Sequence, residues 1–91
     1  MAVYDAIERE LLEQNSLSAL IWLVNRGREL EFSYKREIYF LSCDKAQKYV
    51  SLWHGEDEQS FESVEQLTEE ALVGNQLFLD IWAEVTMITL F

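Results

Sequence analysis

The chain of 91 residues has only one cysteine, one histidine and three glycines. These low counts exclude several kinds of crosslink and binding site. The single cysteine, Cys43, cannot form an intramolecular disulfide, and a small domain without such crosslinks is typical of a reducing compartment. We therefore predict a cytoplasmic protein. The glycines, Gly27, Gly55 and Gly74, lie too far apart in the sequence to cradle a phosphate group.

A long hydrophobic run is also missing. The longest apolar stretch, residues 17–24, is much shorter than the roughly 20 residues that a helix needs to cross a bilayer. The N-terminal residues carry acidic side chains where a signal peptide would carry basic ones. The sequence therefore predicts neither a membrane span nor secretion.

Catalytic and metal sites have few residues from which to form. The one available nucleophilic pair is Cys43 with His54, which fall on neighbouring predicted strands, and simple packing of both side chains is the alternative. One cysteine and one histidine cannot supply the four ligands of a zinc site. The acidic run Glu56, Asp57 and Glu58 lacks the spacing and the glycine of an EF-hand. We predict a protein that is not an enzyme and binds no metal or cofactor.

Basic residues are absent from the second half of the chain. The chain has 17 acidic and 7 basic residues, for a net charge of −10 at pH 7. Residues 1–48 hold all seven bases and eight acids, whereas residues 49–91 hold nine acids and no base. Because nucleic acids and anionic lipids are bound through lysine and arginine, we expect no direct binding to nucleic acid or to a membrane.

The most informative stretch that is present is residues 29–54, in which aromatic and β-branched residues alternate with polar ones. The alternation predicts an antiparallel β-meander whose second strand is central, because that strand is apolar on both faces. A two-residue hairpin signal such as Asn-Gly is missing at Lys35 and Arg36, so the length of that turn stays open. The predicted strands are residues 29–34, 37–43 and 48–54, followed by an acidic loop at 55–59 and a short strand at 59–62.

Helical patterns precede the meander. Residues 2–13 have the apolar spacing of an amphipathic helix. Ser16 is suited to cap a second helix, and Gly27 is suited to end it. One bent helix in place of the two is the alternative.

A third helix is predicted after the meander. Ser63 and Gln66 fit a capping box at its start, Gly74 is expected to end it, and Asn75 to cap a further helical turn. The β-branched residues 85–91 then predict a closing strand. The predicted core side of the third helix is Val64, Leu67, Ala71 and Leu72.

These elements predict one α+β domain over residues 1–91. It comprises an antiparallel β-meander of three to four strands and a C-terminal strand. N-terminal helices pack on this sheet together with one amphipathic helix that precedes the last strand.

Five short motifs occur along the second part of the chain. They are E-F-x-Y at 31–34, Y-F-L-S at 39–42, Y-V-S-L-W at 49–53, F-E-S-V-E-Q-L at 61–67 and L-D-I-W at 79–82. In this order they resemble small, acidic, uncharacterised α+β proteins of Gram-positive bacteria and their mobile elements. The resemblance covers residues 29–91 and implies a helix, a meander, a helix and a last strand, with no site residue and no reaction.

Seven acidic residues of the second half form the candidate partner-binding site. A concentration of one charge sign steers and selects partners of the opposite sign, so the first hypothesis is a regulatory module that binds a basic protein. Its sharper form is a protein that imitates nucleic acid. Solubility is the alternative role of the charge. These residues, here called the acidic cluster, are Glu56, Asp57, Glu58, Glu62, Glu65, Glu69 and Glu70.

Aromatic residues give a second candidate surface. Trp22 and Trp82 are expected in the core, whereas Tyr39 and Trp53 are placed on a sheet face without an evident cover, with a role in the core as the alternative. Tryptophan and tyrosine are enriched in binding hot spots. The alternative function is therefore a homodimer that pairs by an apolar sheet face or by an edge strand, without small-molecule chemistry.

Overall fold

The computed structural model describes residues 3–91 and confirms the α+β class. The predicted start of the first helix at residue 2 lies outside these residues. The helices are α1 Val3–Gln14, α2 Leu17–Val24, α3 Val64–Glu70 and α4 Phe78–Ile81, and a 3₁₀ turn, Trp82–Glu84, follows α4. The strands are β1 Leu30–Tyr34, β2 Glu37–Asp44, β3 Tyr49–His54, β4 Asp57–Phe61, β5 Leu72–Val73, β6 Gln76–Leu77 and β7 Thr86–Leu90. Within residues 3–91, no helix is long and apolar enough to cross a membrane.

Five strands form an antiparallel sheet in the order β4-β3-β2-β1-β7, so β2 is central as predicted. Because side chains alternate along a strand, Leu30, Phe32 and Leu41 are buried against the helices together. Within residues 3–91 the helices cover this face only. The other face, here called the open face, presents Glu31, Ser33, Ile38, Phe40, Ser42, Tyr49, Ser51, Trp53, Glu58 and Ser60.

The turn between β1 and β2 has two residues, which settles the length that the sequence left open. Tyr34 pairs with Glu37, and Lys35 and Arg36 both have positive φ, 50° and 69°. Positive φ at both central residues is the geometry that twists a two-residue hairpin correctly, although glycine and asparagine adopt it more readily. Hairpin geometry therefore overrides the local preference of two long side chains.

The end of the third helix differs from the prediction. The helix ends at Glu70, because Ala71 is already extended at φ −67° and ψ 147°. Gly74 and Asn75 instead form the turn between β5 and β6, with Gly74 at φ 65°. The predictions that Gly74 ends α3 and that Asn75 caps a helix are wrong, since a short hairpin uses both residues.

Capping at the start of α3 follows the prediction with a shift of one residue. The Gln66 amide donates to the Ser63 hydroxyl over 3.0 Å, and the Gln66 side chain accepts from the Glu62 amide over 2.9 Å. In the usual capping box that second bond goes to the capping residue itself.

The fourth strand begins earlier than predicted, at Asp57, so Asp57 and Glu58 belong to a strand and not to an acidic loop.

Two separate helices precede the sheet, and Asn15 marks the break between them with a φ of 51°. Ser16 caps α2 as predicted, accepting from the Ala19 amide over 3.2 Å. The Asn15 side chain donates to the Val85 carbonyl over 2.7 Å, and the Trp82 indole donates to the Asn15 carbonyl over 2.7 Å. Asn15 therefore joins the helix pair to the segment that leads into β7.

We expect Asn15→Ala to lower the free energy of unfolding by about 2 kcal/mol. The substitution removes the side-chain hydrogen bonds, and alanine adopts positive φ less readily than asparagine does. Asn15→Gly removes the same bonds but tolerates the backbone conformation, so its loss should be smaller. Urea denaturation measures both variants. Equal losses for alanine and glycine would show that the backbone conformation contributes nothing.

Candidate protein-interaction surface

The acidic cluster lies around the β4 edge of the sheet, with Glu58 on the open face and α3 on the opposite, helix-covered face. Strand β4 is the outermost strand on that side, and α3 packs over β3 and β4. All seven residues of the cluster are exposed. Within residues 3–91, the ion pair that involves lysine or arginine joins Arg28 to Glu8, outside the cluster. The predicted acids therefore lie around the β4 edge, and no lysine or arginine within residues 3–91 is paired with them.

Two members of the cluster are held by hydrogen bonds. The Glu58 carboxylate accepts from the Ser51 hydroxyl over 2.6 Å and from the Ser60 hydroxyl over 2.9 Å, on the open face. The Glu65 carboxylate accepts from the side-chain amide of Asn25 over 3.4 Å. Glu58 lies directly across from Trp53 on the neighbouring strand, so the cluster is continuous with the aromatic part of the open face.

The open face carries a short aromatic row. Trp53 is half-buried beside Phe40, its cross-strand partner, and its indole donates to the Ser42 hydroxyl over 3.1 Å. The ring of Phe91 meets Phe40 edge to face at 5.8 Å between centroids. Ile38 is 55% exposed at the same face. The predicted position of Trp53 on an uncovered sheet face is confirmed.

Tyr39 does not share that face, and the prediction that it does is wrong. Its side chain is 4% exposed and stacks between Phe32, at 5.4 Å, and His54, at 4.6 Å. The register explains the difference: Phe40 pairs with Trp53, so the adjacent Tyr39 points to the helix side. Burial raises the pKa of the Tyr39 hydroxyl. Tyr39 therefore supports the sheet and cannot contact a partner directly.

Cys43 and His54 are not brought together. Cys43 pairs with Val50, and His54 lies four residues further along β3, a separation of about 13 Å. His54 instead lies 3.3 Å from the Glu37 carboxylate. The pKa of the Cys43 thiol is raised, first by burial and then by the charge of Glu29, which disfavours the reactive thiolate.

This environment predicts slow alkylation of Cys43. Because the thiolate is the reacting form, a plot of iodoacetamide alkylation rate against pH should have its midpoint above that of an unstructured cysteine peptide. Glu29→Gln should lower the midpoint by removing a nearby negative charge, whereas His54→Ala should leave it unchanged. A midpoint that moves with His54→Ala would contradict the separation of the two residues.

Three exposed leucines were missed by the sequence pattern. Leu72, expected in the core, is 47% exposed, and its cross-strand partner Leu77 is 43% exposed. Leu79 in α4 is 46% exposed. The available signal was the Gly-Asn dipeptide at 74–75, preceded by Leu72-Val73 and followed by Gln76-Leu77, which is typical of a two-residue hairpin. In that hairpin Ala71 and Val73 face the core, so the residues between and opposite them face out.

Groups of three or more His, Cys, Asp or Glu side chains placed to hold a metal ion do not occur within residues 3–91. Comparison of the chain with protein-family models, with curated proteins and with solved structures finds no match. The resemblance to small acidic α+β proteins of Gram-positive bacteria therefore stays a prediction carried by its short motifs.

Proposed function

We propose that the protein is a non-enzymatic regulatory module that binds a basic protein through the acidic cluster. The observation that carries the proposal is the run of exposed carboxylates along β4 and α3 without a paired lysine or arginine within residues 3–91. A surface of one charge sign attracts an oppositely charged partner and repels others. In the sharper form of the proposal, the partner is a nucleic-acid-binding protein whose basic surface the cluster occupies.

The placement of the charge favours binding over solubility alone. Dispersing a small protein requires net charge, and both signs can be interspersed over its surface, as they are in the first half of this chain. The Arg28–Glu8 ion pair is an example of that compensation. The second half has no base at all, and segregated charge of this kind is what steering of a partner requires.

The proposal predicts that the position of the charge matters more than its amount. The variant Glu62→Gln, Glu65→Gln, Glu69→Gln removes three exposed acids of the cluster. The matched control Asp5→Asn, Glu10→Gln, Glu13→Gln removes three exposed acids of α1, so either variant changes the net charge from −10 to −7. In a pull-down from lysate of the source cell, the cluster variant should retain its partner about tenfold less, whereas the control should retain it as the native chain does.

Salt and DNA complete the test. Binding through the cluster should weaken steeply as ionic strength rises, because salt shortens the Debye length and so screens the attraction between exposed charges. A DNA duplex should compete with the protein for the captured partner if that partner's nucleic-acid-binding surface is the one occupied. Equal retention by the two charge variants, or a flat response to salt, would show that the charge serves solubility.

The open face supports the alternative of a homodimer. Ile38 and Phe91 are 55% and 57% exposed, and the edge strand β7 contains no charged residue. Uncharged edge strands and apolar sheet faces are surfaces by which copies of a chain associate. The opposite edge strand, β4, carries Asp57 and Glu58, whose repulsion disfavours pairing of two copies there.

If the chain is a homodimer, sedimentation velocity should show a concentration-dependent dimer that Ile38→Lys or Thr86→Lys dissociates at least tenfold more readily, because each change buries a charge at the interface. Leu12→Lys, at an exposed apolar position of α1, is the control and should leave the dimer intact. A native chain that sediments as a monomer at every concentration tested would remove this alternative.

A further inference from the structure

Three exposed leucines lie away from the open face, on the hairpin of β5 and β6 and on α4, which packs against both strands of that hairpin. Leu72 and Leu77 are directly opposite one another in the hairpin of β5 and β6, and Leu79 follows two residues later in α4. Between 43% and 47% of each residue is exposed. Directly opposed residues of an antiparallel pair project from the same face with their Cβ atoms about 5 Å apart. We call Leu72, Leu77 and Leu79 the leucine patch.

The patch is built into the fold and is held against the edge of the main sheet. The Gln59 side chain of β4 donates to the Leu72 carbonyl over 2.8 Å and accepts from the Leu72 amide over 2.8 Å. On the other side of the hairpin, the Tyr34 hydroxyl donates to the Gln76 side chain over 2.9 Å. The two Gln59 bonds fix the hairpin backbone at Leu72, and the Tyr34 bond holds the Gln76 side chain, so both strands of the hairpin are attached to the main sheet.

Acidic residues border the patch. Glu69 and Glu70 end α3 just before Leu72, and Asp80 follows Leu79, all three exposed. Gln59, which binds Leu72, belongs to the same strand as Asp57 and Glu58. No lysine or arginine occurs from residue 49 onward, and Lys35 lies at the turn end of the hairpin, where it lines a surface pocket with Gly74 and Asn75. The leucine patch is therefore an apolar area adjoining the acidic cluster.

We propose that the leucine patch anchors a cationic amphipathic helix of the partner protein, with lysine or arginine beside one row of apolar side chains. This inference rests on the proposed function, because the acidic cluster supplies long-range attraction and the leucines supply contact that only an apolar row can fill. A helix of that kind presents apolar residues at i, i+3, i+4 and i+7 to a hydrophobic surface. Desolvated apolar anchors surrounded by polar residues carry most of the affinity in such contacts.

Charge selects this occupant over a second copy of the chain. Two leucine patches brought face to face would also bring together the acids Glu69, Glu70 and Asp80 of both copies, which repel. An apolar helix without basic residues would leave those carboxylates without counter-charges at the rim of the contact. A helix that carries both an apolar row and basic residues contacts the leucines and the acids at the same time.

Two synthetic helical peptides with the same lysines test the proposal by fluorescence anisotropy. One carries leucine at i, i+3, i+4 and i+7, and the other carries alanine at those positions. The native protein should bind the leucine peptide about tenfold more tightly. Leu72→Ser with Leu77→Ser should abolish that preference, whereas Ile38→Ser, at a similarly exposed position of the open face, should preserve it.

The outcomes separate this inference from the proposed function. Equal affinity of the native protein for both peptides, or a preference that survives in Leu72→Ser with Leu77→Ser, overturns the leucine patch as an anchor. Binding of both peptides that falls about tenfold in the Glu62→Gln, Glu65→Gln, Glu69→Gln variant still supports the acidic cluster. Peptide affinity that is unchanged in that variant contradicts the cluster.

A measurement on the native protein covers the case in which the serine variant fails to fold. Methyl resonances of Leu72, Leu77 and Leu79 should shift on addition of the leucine peptide and not on addition of the alanine peptide. Shifts confined to Ile38 would overturn the proposal by placing the peptide on the open face. Dimers of the native protein that Leu77→Lys dissociates would overturn it in favour of a second copy as the occupant.

Discussion

The Trp82 side chain is the contact on which the arrangement of all layers depends. Its ring stacks on Phe78 at 5.0 Å and meets Phe32 of the central sheet edge to face at 5.5 Å, and its indole N–H donates to the Asn15 carbonyl. The Asn15 side chain returns a bond to the Val85 carbonyl. One aromatic residue thereby connects the helix pair, the sheet and the entry to β7. Because these bonds are only partly exposed, losing them would leave polar groups without full solvation.

This junction also decides which surfaces remain free. With α1, α2 and α4 held over one face of the sheet, the open face has no cover within residues 3–91, and β4 and β7 form its two edges. The two edges differ in chemistry: β4 carries the acids Asp57 and Glu58, whereas β7 carries none. The two edges of the sheet are therefore distinguished by their charge.

The sequence predicts those helices and strands whose patterns involve neighbouring residues. Alternation over residues 29–54 identifies β1, β2 and β3, and Ser16 identifies the start of α2, because each signal acts within a few residues. The prediction for the end of α3 is wrong because the local signal there is ambiguous. Ala71, Leu72 and Val73 are compatible with one more helical turn or with a strand. The prediction for Tyr39 is wrong because the sheet face of its side chain depends on the pairing of Phe40 with Trp53, which no local pattern fixes. The acids were identifiable, but their gathering along β4 and α3 required the tertiary fold.

The members of the acidic cluster do not all need a partner to explain them. Asp57 and Glu58 lie on an edge strand, where charge prevents sheets from joining edge to edge, so these two acids have a sufficient role within the fold. Glu62, Glu65 and Glu69 lie on or next to a helix, where no strand edge requires protection. Their mutual repulsion costs stability, and no lysine or arginine within residues 3–91 forms an ion pair that offsets it. The acids of α3, together with the leucines that follow them, are therefore the part of this surface for which we propose binding.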